Sequence, residues 1–175
     1  TYYNRGAKER PTLPVGQTVR QMATPNFNQL QSAYRPHYST ETALTLTINN
    51  IYNSADNSKP TLLVSLDLSA AFDTIDHSIL LNRLKASFGV TGYTLSWLSS
   101  YLSNRSQTVR IGQSTSASTL LESGVPQGSV LGPILFSLYV SPIGQIVSSF
   151  GIEHQQYADD NQLYITMFKQ SYFRY

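Results

Sequence analysis

The sequence predicts an α+β fold, because helical and strand-like patterns occur together in one short chain. Leu44, Ile48 and Ile51 recur at the spacing of an amphipathic helix. Residues 61–68 (TLLVSLDL) form a short apolar run of the kind found in buried strands. The length of 175 residues and the hydrophobic fraction of 41% are enough for the core of a single domain.

The N-terminal part of the chain shows no regular period. Pro11 and Pro25 are among the residues that interrupt it, so residues 1–27 are predicted to form an irregular arm. The first predicted helix begins near Ser39. It is expected to end near residues 57–60, where the sequence Asn-Ser-Lys-Pro breaks the helical pattern.

Two further helices are predicted in the middle of the chain. Asp73 or Thr74 is expected to cap a helix whose apolar positions include Ile75, and Gly89 is expected to end it. The second helix is predicted from residue 93 to residue 102, where leucines recur on one face.

Turn-forming residues separate the next elements. A hairpin around Gly112 is predicted from the strand-like residues 107–111 and 119–121. Residues 124–128 (GVPQG) are rich in turn formers and are predicted to form a loop. This loop leads into a helix near Pro133, because the fixed φ angle of proline suits a first helical turn.

Acidic residues stand at the ends of predicted strands. Residues 153–157 and 162–166 are strand-like, and the turn between them carries Asp159 and Asp160. Asp67 lies near the end of the first apolar strand. A carboxylate buried in a strand is costly unless it is paired, and adjacent carboxylates repel each other. A divalent metal ion held between the strand end and the hairpin turn would offset both costs.

The residues alone leave a simpler interpretation open. A lone aspartate near a strand end is commonly a cap, and an Asp-Asp pair in a turn is commonly a solvated loop. The net charge of +2 and pI of about 8.8 neither prove nor exclude a nucleic-acid partner. The absence of cysteine does exclude disulfides, thiolate zinc sites and a cysteine nucleophile.

The sequence contains no pattern that directs it to a membrane. The first 21 residues lack the apolar core of a signal peptide. The most apolar stretch, residues 125–150, is interrupted by Pro133 and Pro142, and no transmembrane helix is expected. An intracellular location fits these observations but does not follow from them.

Four segments, taken in order, resemble the reverse transcriptases of LINE-type (non-LTR) retrotransposons. They are residues 31–40 (QSAYRPHYST), 66–77 (LDLSAAFDTIDH), 124–136 (GVPQGSVLGPILF) and 157–164 (YADDNQLY). The resemblance covers about residues 28–166, most of the chain. A bare YADD would be weak support, whereas four long matches in the right order and spacing are specific.

The resemblance implies a right-hand polymerase fold. Residues 28–175 would then form a partial domain of α+β palm and part of the fingers, with the thumb absent. The implied reaction is templated addition of deoxynucleotides to a primer 3′-OH. The implied partners are an RNA template, a DNA primer and deoxynucleoside triphosphates, and the implied cofactor is Mg²⁺ or Mn²⁺. The oligomeric state stays open.

The resemblance also assigns roles to the three strand-end carboxylates. Asp67 matches the metal ligand of the first catalytic motif, and Asp159 matches the second principal ligand. Asp160 matches the partner of that ligand, whose contact with metal is less direct. The metal ions would lower the pKa of the primer hydroxyl and neutralise charge on the triphosphate.

Four further residues are expected by resemblance to contact substrate. Phe72 matches a sugar-sensing aromatic whose ring would clash with a ribonucleotide 2′-OH, although an ordinary core phenylalanine is the alternative. Gln127 and Gly128 match the motif that lines the nucleotide and template pocket, or they simply form a turn before a helix. Arg35 would contact phosphate or a base, or it is a surface arginine.

Other residues in these motifs are assigned structural roles. Asp73 and Asp76 are explained by helix capping and hydrogen bonding at least as well as by catalysis. Tyr157 is expected to pack beneath the carboxylate turn. The three histidines form no cluster in the sequence, and no ligand role is expected for them.

Two departures from the family pattern support a competing interpretation. Residues 1–25 do not match the further fingers motif that such enzymes carry, and the chain ends nine residues after Thr166. Without a thumb to clamp the primer and template, we expect little or no polymerase activity from the isolated chain. The alternative is a catalytically inactive remnant with at most weak nucleic-acid binding. An unrelated metal-dependent phosphotransferase is a third possibility.

Overall fold

The computed structural model describes residues 26–167, which divide into two compact units. The central unit comprises Ala70–Tyr139, and the split unit comprises residues 26–69 and 140–167 of the described chain. Most of the predicted irregular arm therefore lies outside the described residues. In chain order the elements are α1 (Thr40–Asp56), β1 (Thr61–Leu66), α2 (His77–Phe88), α3 (Gly92–Leu102), β2 (Arg105–Gln107), β3 (Arg110–Ile111), β4 (Ser114–Thr115), β5 (Thr119–Leu121), α4 (Gly132–Val140), α5 (Pro142–Ser149), β6 (Glu153–Tyr157) and β7 (Asp160–Thr166).

Helix α1 of the split unit begins where the sequence predicts. The Ser39 side chain accepts a hydrogen bond from the Thr42 N–H, and the Thr42 hydroxyl accepts one from the Ser39 N–H. This reciprocal capping box satisfies two donors that the helix itself leaves unpaired. The helix ends at Asp56 with Asn57 as its C-cap, so both predicted boundaries are confirmed.

The face of α1 that packs against the sheet carries small residues. Ala43 and Thr47 are buried, whereas Leu44 and Ile48 are exposed. The Thr47 hydroxyl lies 2.6 Å from the hydroxyl of Tyr164 on β7, a contact that a larger side chain at position 47 would prevent. The apolar period therefore predicted the helix correctly but not the face that it buries.

The split unit contains a three-stranded antiparallel sheet in the order β1–β7–β6. Strand β7 pairs with β1 from Thr61 opposite Thr166 to Leu66 opposite Asn161. The two strands β6 and β7 form the predicted hairpin. Helix α1 packs on this sheet, and α5 packs on β6. Leu66 is the last residue of β1 and therefore lies at one end of this sheet.

The prediction that the first strand is buried is wrong. Leu62, Leu63 and Leu66 are each more than 40% exposed. Among the described residues, β1 pairs with β7 alone and so lies at one edge of the sheet. A short apolar run is compatible with several environments, and its composition does not reveal which faces other elements cover.

Helix α5 was not predicted. Its short amphipathic sequence begins with Pro142, which the first turn of a helix accepts because its missing N–H has no partner there. The helix packs closely on the segment before α1. A Cβ atom at Gly144 would lie 2.6 Å from Oδ1 of Asn28, so a larger residue at this position would displace the Asn28 side chain.

Helix α2 of the central unit begins later than predicted. Asp76, rather than Asp73 or Thr74, is its N-cap, and its carboxylate accepts the Ile79 N–H at 2.9 Å. The predicted cap is wrong because residues 73 and 74 belong to a preceding turn. In that turn both of their N–H groups donate to the Ala70 carbonyl. Aspartate and threonine favour turns and caps alike, so the sequence could not separate the two positions.

The remaining elements of the central unit follow the prediction. Helix α2 ends at Gly89, which adopts a left-handed φ of +65°. Helices α2 and α3 pack against each other, and the buried leucines of α2 include Leu80 and Leu84. The hairpin around Gly112 is present as two short ladders, β2 with β5 and β3 with β4. The GVPQG loop leads into α4, whose second residue is Pro133.

Candidate active site

The three predicted catalytic carboxylates lie at one end of the sheet in the split unit. Leu66 and Asn161 form the last pair of the β1–β7 ladder. Asp67 follows Leu66 and Asp160 precedes Asn161, so these two residues extend adjacent strands by one position beyond that pair. Asp159 lies in the turn immediately before Asp160. The structure thus brings all three to the same sheet end.

The turn that carries Asp159 is tighter than predicted. Tyr157 and Asp160 form the last pair of the β6–β7 ladder, so the turn itself has two residues rather than the predicted four. Its first residue, Ala158, is buried and has a φ of +55°. Tight hairpin turns need positive φ values, which cost a residue other than glycine about 1–2 kcal/mol. The neighbouring structure must therefore hold this turn in place.

Buried amide side chains beneath the turn supply that support. Gln31 and Gln156 are both fully buried. The Ala158 N–H donates to Oε1 of Gln31 at 2.9 Å, and Nε2 of Gln31 donates to the Ala158 carbonyl at 3.1 Å. Nε2 of Gln156 donates to the same carbonyl at 3.1 Å. Sequence reasoning missed both residues. The available signal was the run of polar side chains in a strand, β6, that the fold buries.

Two further residues are close to the carboxylate turn. Nδ2 of Asn161 donates to the backbone carbonyl of Asp159 at 3.0 Å and ties the turn to β7. The pKa of the Tyr34 hydroxyl is raised by partial burial and by the negative charge of Asp159. The Asp159 carboxylate therefore acts electrostatically on a residue of the QSAYRPHYST segment.

The donor chemistry at this sheet end fits a hard divalent cation. Asp67 and Asp160 are exposed and Asp159 is partly exposed, so all three offer carboxylate oxygens to a ligand. Within residues 26–167, no three His, Cys, Asp or Glu side chains lie close enough together to form a metal-binding group. Exposed carboxylate oxygens are the donors that a divalent-cation site of one or two protein carboxylates uses, with substrate phosphates and water completing its shell.

Three of the four predicted substrate-contacting residues meet at one cavity in the central unit. This cavity has a volume of about 420 Å³. Its lining residues are Phe72, Pro126, Gln127, Gly128, Ser129, Val130 and Pro133. The resemblance had assigned Gln127 and Gly128 to a nucleotide and template pocket and Phe72 to contact with the sugar, and the described structure brings these three residues to one cavity.

The loop that contributes Gln127 to the cavity is fixed by close backbone contacts. Gly124 has a φ of +82°, and a Cβ atom there would lie 2.9 Å from backbone atoms of Asp73. The Gly124 carbonyl accepts a hydrogen bond from Nη1 of Arg105 at 3.0 Å and lies 2.8 Å from Nε2 of His77. Nε2 of Gln127 lies 3.4 Å from a carboxylate oxygen of Asp73. Asp73 thus has a structural contact, as expected, although it is not the helix cap.

Arg35 is held by its own segment in the split unit. Its guanidinium donates to the carbonyls of Gln29 and Gln31 at 2.9 and 3.1 Å. It also lies over the rings of Phe27 and Tyr38, with distances of 5.4 and 4.3 Å to the ring centroids. These contacts give Arg35 a structural role in ordering residues 27–38. A substrate contact by Arg35 stays a prediction.

Comparison with known proteins identifies the relatives of the chain. Residues 6–171 match the family described as "Reverse transcriptase (RNA-dependent DNA polymerase)". The chain is 33% identical over 113 residues to "Probable RNA-directed DNA polymerase from transposon BS" of Drosophila melanogaster, a match that covers 65% of this chain and 12% of that protein. It is 32% identical over 119 residues to "RNA-directed DNA polymerase from mobile element jockey" of the same species, covering 68% of this chain and 12% of that protein.

A third relative comes from a different species. The chain is 30% identical over 81 residues to "Retrovirus-related Pol polyprotein from type-1 retrotransposable element R2" of Popillia japonica, a match that covers 46% of this chain and 13% of that protein. The matched region is therefore a small part of each of these relatives.

In the described part of the chain, every helix is too short or too polar to span a bilayer.

Proposed function

Because the chain belongs to the reverse transcriptase family and is of the LINE type that its motifs predicted, we propose that it takes part in templated addition of deoxynucleotides to a primer 3′-OH, with RNA as the template. The partners in this proposal are an RNA template, a DNA primer and deoxynucleoside triphosphates. Mg²⁺ or Mn²⁺ is the proposed cofactor.

The observation that carries the proposal is the common position of the three carboxylates. Asp67 and Asp160 extend adjacent antiparallel strands, and Asp159 lies in the turn between β6 and β7. Neighbouring carboxylates repel each other, and a bound cation would offset that repulsion. A triphosphate substrate would bind together with a divalent cation, which would explain why acidic residues lie together at this sheet end.

Each carboxylate has a defined task in this proposal. Asp67 and Asp159 would hold the divalent metal, and Asp160 would add negative charge beside them. Bound metal would lower the pKa of the primer hydroxyl and offset the charge that develops on the transferred phosphate. The rigid β6–β7 turn keeps Asp159 in place, which matters because positioning is most of what a phosphoryl-transfer site contributes.

The cavity in the central unit supports a deoxynucleotide as the proposed substrate. Phe72 presents a partly buried ring at its wall, where a 2′-OH on an incoming sugar would meet it. Gln127 offers an amide that can both donate and accept hydrogen bonds, and Gly128 lets the backbone approach a substrate closely. In the split unit, the Arg35 guanidinium is proposed to meet phosphate or a base.

Primer extension tests the proposal directly. The chain is incubated with poly(rA)/oligo(dT), dTTP and Mg²⁺, and it is compared with its Asp67→Asn variant. Extension by the parent and its loss in Asp67→Asn supports the proposal, since the substitution removes a metal-binding charge without changing size. Asp56→Asn is the matched control, because Asp56 is an exposed aspartate on α1 that has no assigned role. Loss of extension in this control as well would contradict a specific role for Asp67.

A second candidate function is a non-catalytic one. In this candidate the motifs record ancestry alone, and the chain is an inactive remnant that binds nucleic acid weakly at most. Titration with Mn²⁺, followed by electron paramagnetic resonance, separates the two candidates. Saturable binding that Asp159→Asn weakens supports the catalytic proposal. A folded sample that neither binds Mn²⁺ nor extends the primer supports the remnant.

A further inference from the structure

We propose that Gln31 is a positioning residue for the reaction, because its side-chain amide fixes the backbone of Ala158 and so sets the direction of the neighbouring Asp159 carboxylate. This inference rests on the proposed function for its catalytic consequence. The structural part, that Gln31 holds the turn, rests only on contacts within the split unit.

The backbone of Ala158 requires an external partner. It has a φ of +55°, a conformation that side chains other than glycine seldom adopt. It is also buried, so water is not available to its peptide groups. A buried N–H or C=O without a partner is strongly disfavoured. A turn with this conformation in this position is therefore stable only if neighbouring groups satisfy its backbone.

Gln31 satisfies both backbone groups of Ala158 at once. Its Oε1 accepts the Ala158 N–H at 2.9 Å, and its Nε2 donates to the Ala158 carbonyl at 3.1 Å. Two hydrogen bonds from one planar amide fix the orientation of Ala158 as well as its distance. Because Asp159 is the next residue, the direction in which its side chain leaves the backbone depends on this contact.

Gln31 is itself held firmly from several sides. The Ala33 N–H donates to Oε1 of Gln31 at 3.0 Å. The Gln31 segment runs parallel to β6 and bridges to Gln156, with the Ser32 N–H donating to the Gln156 carbonyl at 2.9 Å. The side chain of Gln156 accepts from Nδ2 of Asn28 at 2.8 Å. The two hydrogen bonds between the Gln31 side chain and the Ala158 backbone are called the clamp. The clamp is therefore part of a buried hydrogen-bonded network rather than a single mobile side chain.

The chemistry of the clamp restricts which residue can serve. One group must donate to a carbonyl and another must accept from an N–H, and glutamine offers both from a neutral side chain. Methionine has a similar length but offers neither strong contact. An ionised glutamate could accept but not donate, whereas a protonated glutamate could do both. Substitutions at Gln31 therefore distinguish the effect of side-chain length from the effect of its hydrogen bonds.

The first test measures the turn itself without reference to activity. Amide hydrogen exchange at Ala158 is followed by NMR in the full chain and in Gln31→Met. We expect exchange at Ala158 to be faster by about tenfold or more in the variant, because its N–H loses its acceptor. The matched control is Gln155→Met. Gln155 is also buried and its Nε2 donates to Ser32 Oγ at 2.7 Å, but it does not contact Ala158.

The second test measures the catalytic consequence by primer extension. In Gln31→Met we expect kcat to fall by about 10- to 100-fold, with little change in KM for the primer–template, because a misplaced carboxylate impairs the chemical step. The Mg²⁺ concentration for half-maximal rate should rise in parallel. Gln155→Met should lose stability with much smaller changes in kcat and in Mg²⁺ dependence, since its Nε2 donates to Ser32 Oγ and to the Gln156 carbonyl and makes no hydrogen bond to Ala158.

The third test uses Gln31→Glu as the conservative variant and guards against a failure of Gln31→Met to fold. Burial raises the pKa of a carboxyl group, so the introduced group should gain a proton as the pH falls. Its protonated form restores the donor to the Ala158 carbonyl. The rate of Gln31→Glu relative to the parent should therefore increase as the pH is lowered from 8.5 to 6.5, whereas the relative rate of Gln31→Met should stay constant.

The outcomes separate this inference from the proposed function. If the parent extends primer and Gln31→Met matches Gln155→Met in rate and in Mg²⁺ dependence, the positioning role is overturned. If the parent extends no primer, the proposed function fails and hydrogen exchange alone decides the structural part. Selective loss of protection at Ala158 in Gln31→Met then supports the clamp, and equal protection in the parent and the variant overturns it.

Discussion

The ring of Phe72 packs against the ring of Phe136, with the centroids 5.1 Å apart and the planes inclined by 33°. Phe136 is fully buried on α4, and Phe72 is partly exposed at the wall of the 420 Å³ cavity. The buried ring therefore supports the exposed one from behind. Because this support limits the movement of Phe72, the proposed exclusion of a 2′-OH would depend on both residues.

The first prediction concerns the choice of sugar. Phe72→Val should lower the preference for dTTP over ribothymidine triphosphate by about tenfold or more, because the smaller side chain leaves room for the 2′-OH. Phe136→Leu should lower it less, since Phe72 then moves but is retained. Single-nucleotide extension with each triphosphate measures the preference. Phe88→Leu, a buried phenylalanine on α2, is the control, and an unchanged preference in Phe72→Val would contradict the role.

The second prediction concerns the turn that precedes Gln127. Gly124→Ala should destabilise the protein by more than about 2 kcal/mol, because a positive φ is combined with a steric clash against Asp73. Gly112→Ala is a matched control, since Gly112 has a φ of +59° but no atom within 4 Å of its Cβ position. It should cost only about 1 kcal/mol. Urea unfolding measures both, and equal losses would show that the contact with Asp73 is not rigid.

The sequence predicts most helices and strands because their periods are strong. Helix α1 was placed correctly at both ends since a capping residue, Ser39, and a clear break at residues 57–60 frame its apolar period. The start of α2 was misplaced because three possible caps follow one another within four residues. Helix α5 was missed because its eight residues are too few for a period to be clear.

Some residues of the candidate site could likewise be named from the sequence, and others could not. Carboxylates at strand ends stand out in a sequence with few charges, so Asp67, Asp159 and Asp160 could be named as candidates from the sequence, and their metal-binding role stays a prediction. The sequence alone is not enough for Gln31 and Gln156, because a polar side chain gives no sign in the sequence that it will be buried. Their importance depends on contacts between segments more than 120 residues apart in the chain.

The third prediction concerns the buried contact between α1 and the sheet. The Thr47 and Tyr164 hydroxyls lie 2.6 Å apart, and burial raises the pKa of Tyr164. A double-mutant cycle with Thr47→Val and Tyr164→Phe should give a coupling free energy of about 0.5–1.5 kcal/mol in urea unfolding. The pair Ser54 and Thr166 is the comparison, because its hydroxyls are 3.3 Å apart and should couple less. Additive losses for the first pair would contradict the contact.

The fourth prediction concerns stability at mildly acidic pH. Burial lowers the pKa of His154 below its ordinary value of 6.5, and its Nε2 lies 3.3 Å from Oδ1 of Asn28. The unfolded chain therefore binds a proton at this residue more readily than the folded chain does. It follows that the free energy of unfolding is highest above pH 6.5 and decreases as the pH falls from there towards the lower pKa of the folded state.

Replacing the imidazole of His154 should remove this pH dependence. In His154→Gln, the unfolding free energy measured in urea between pH 7.5 and pH 5 should decrease less steeply than in the parent. The amide can still donate to Asn28, so the variant should keep much of the parent's stability at pH 7.5. His37→Gln is the control, since His37 is exposed and its imidazole is not buried in either state. The opposite result is an unfolding free energy of His154→Gln that decreases with falling pH as steeply as that of the parent and of His37→Gln. That result would show that the buried imidazole does not control acid stability.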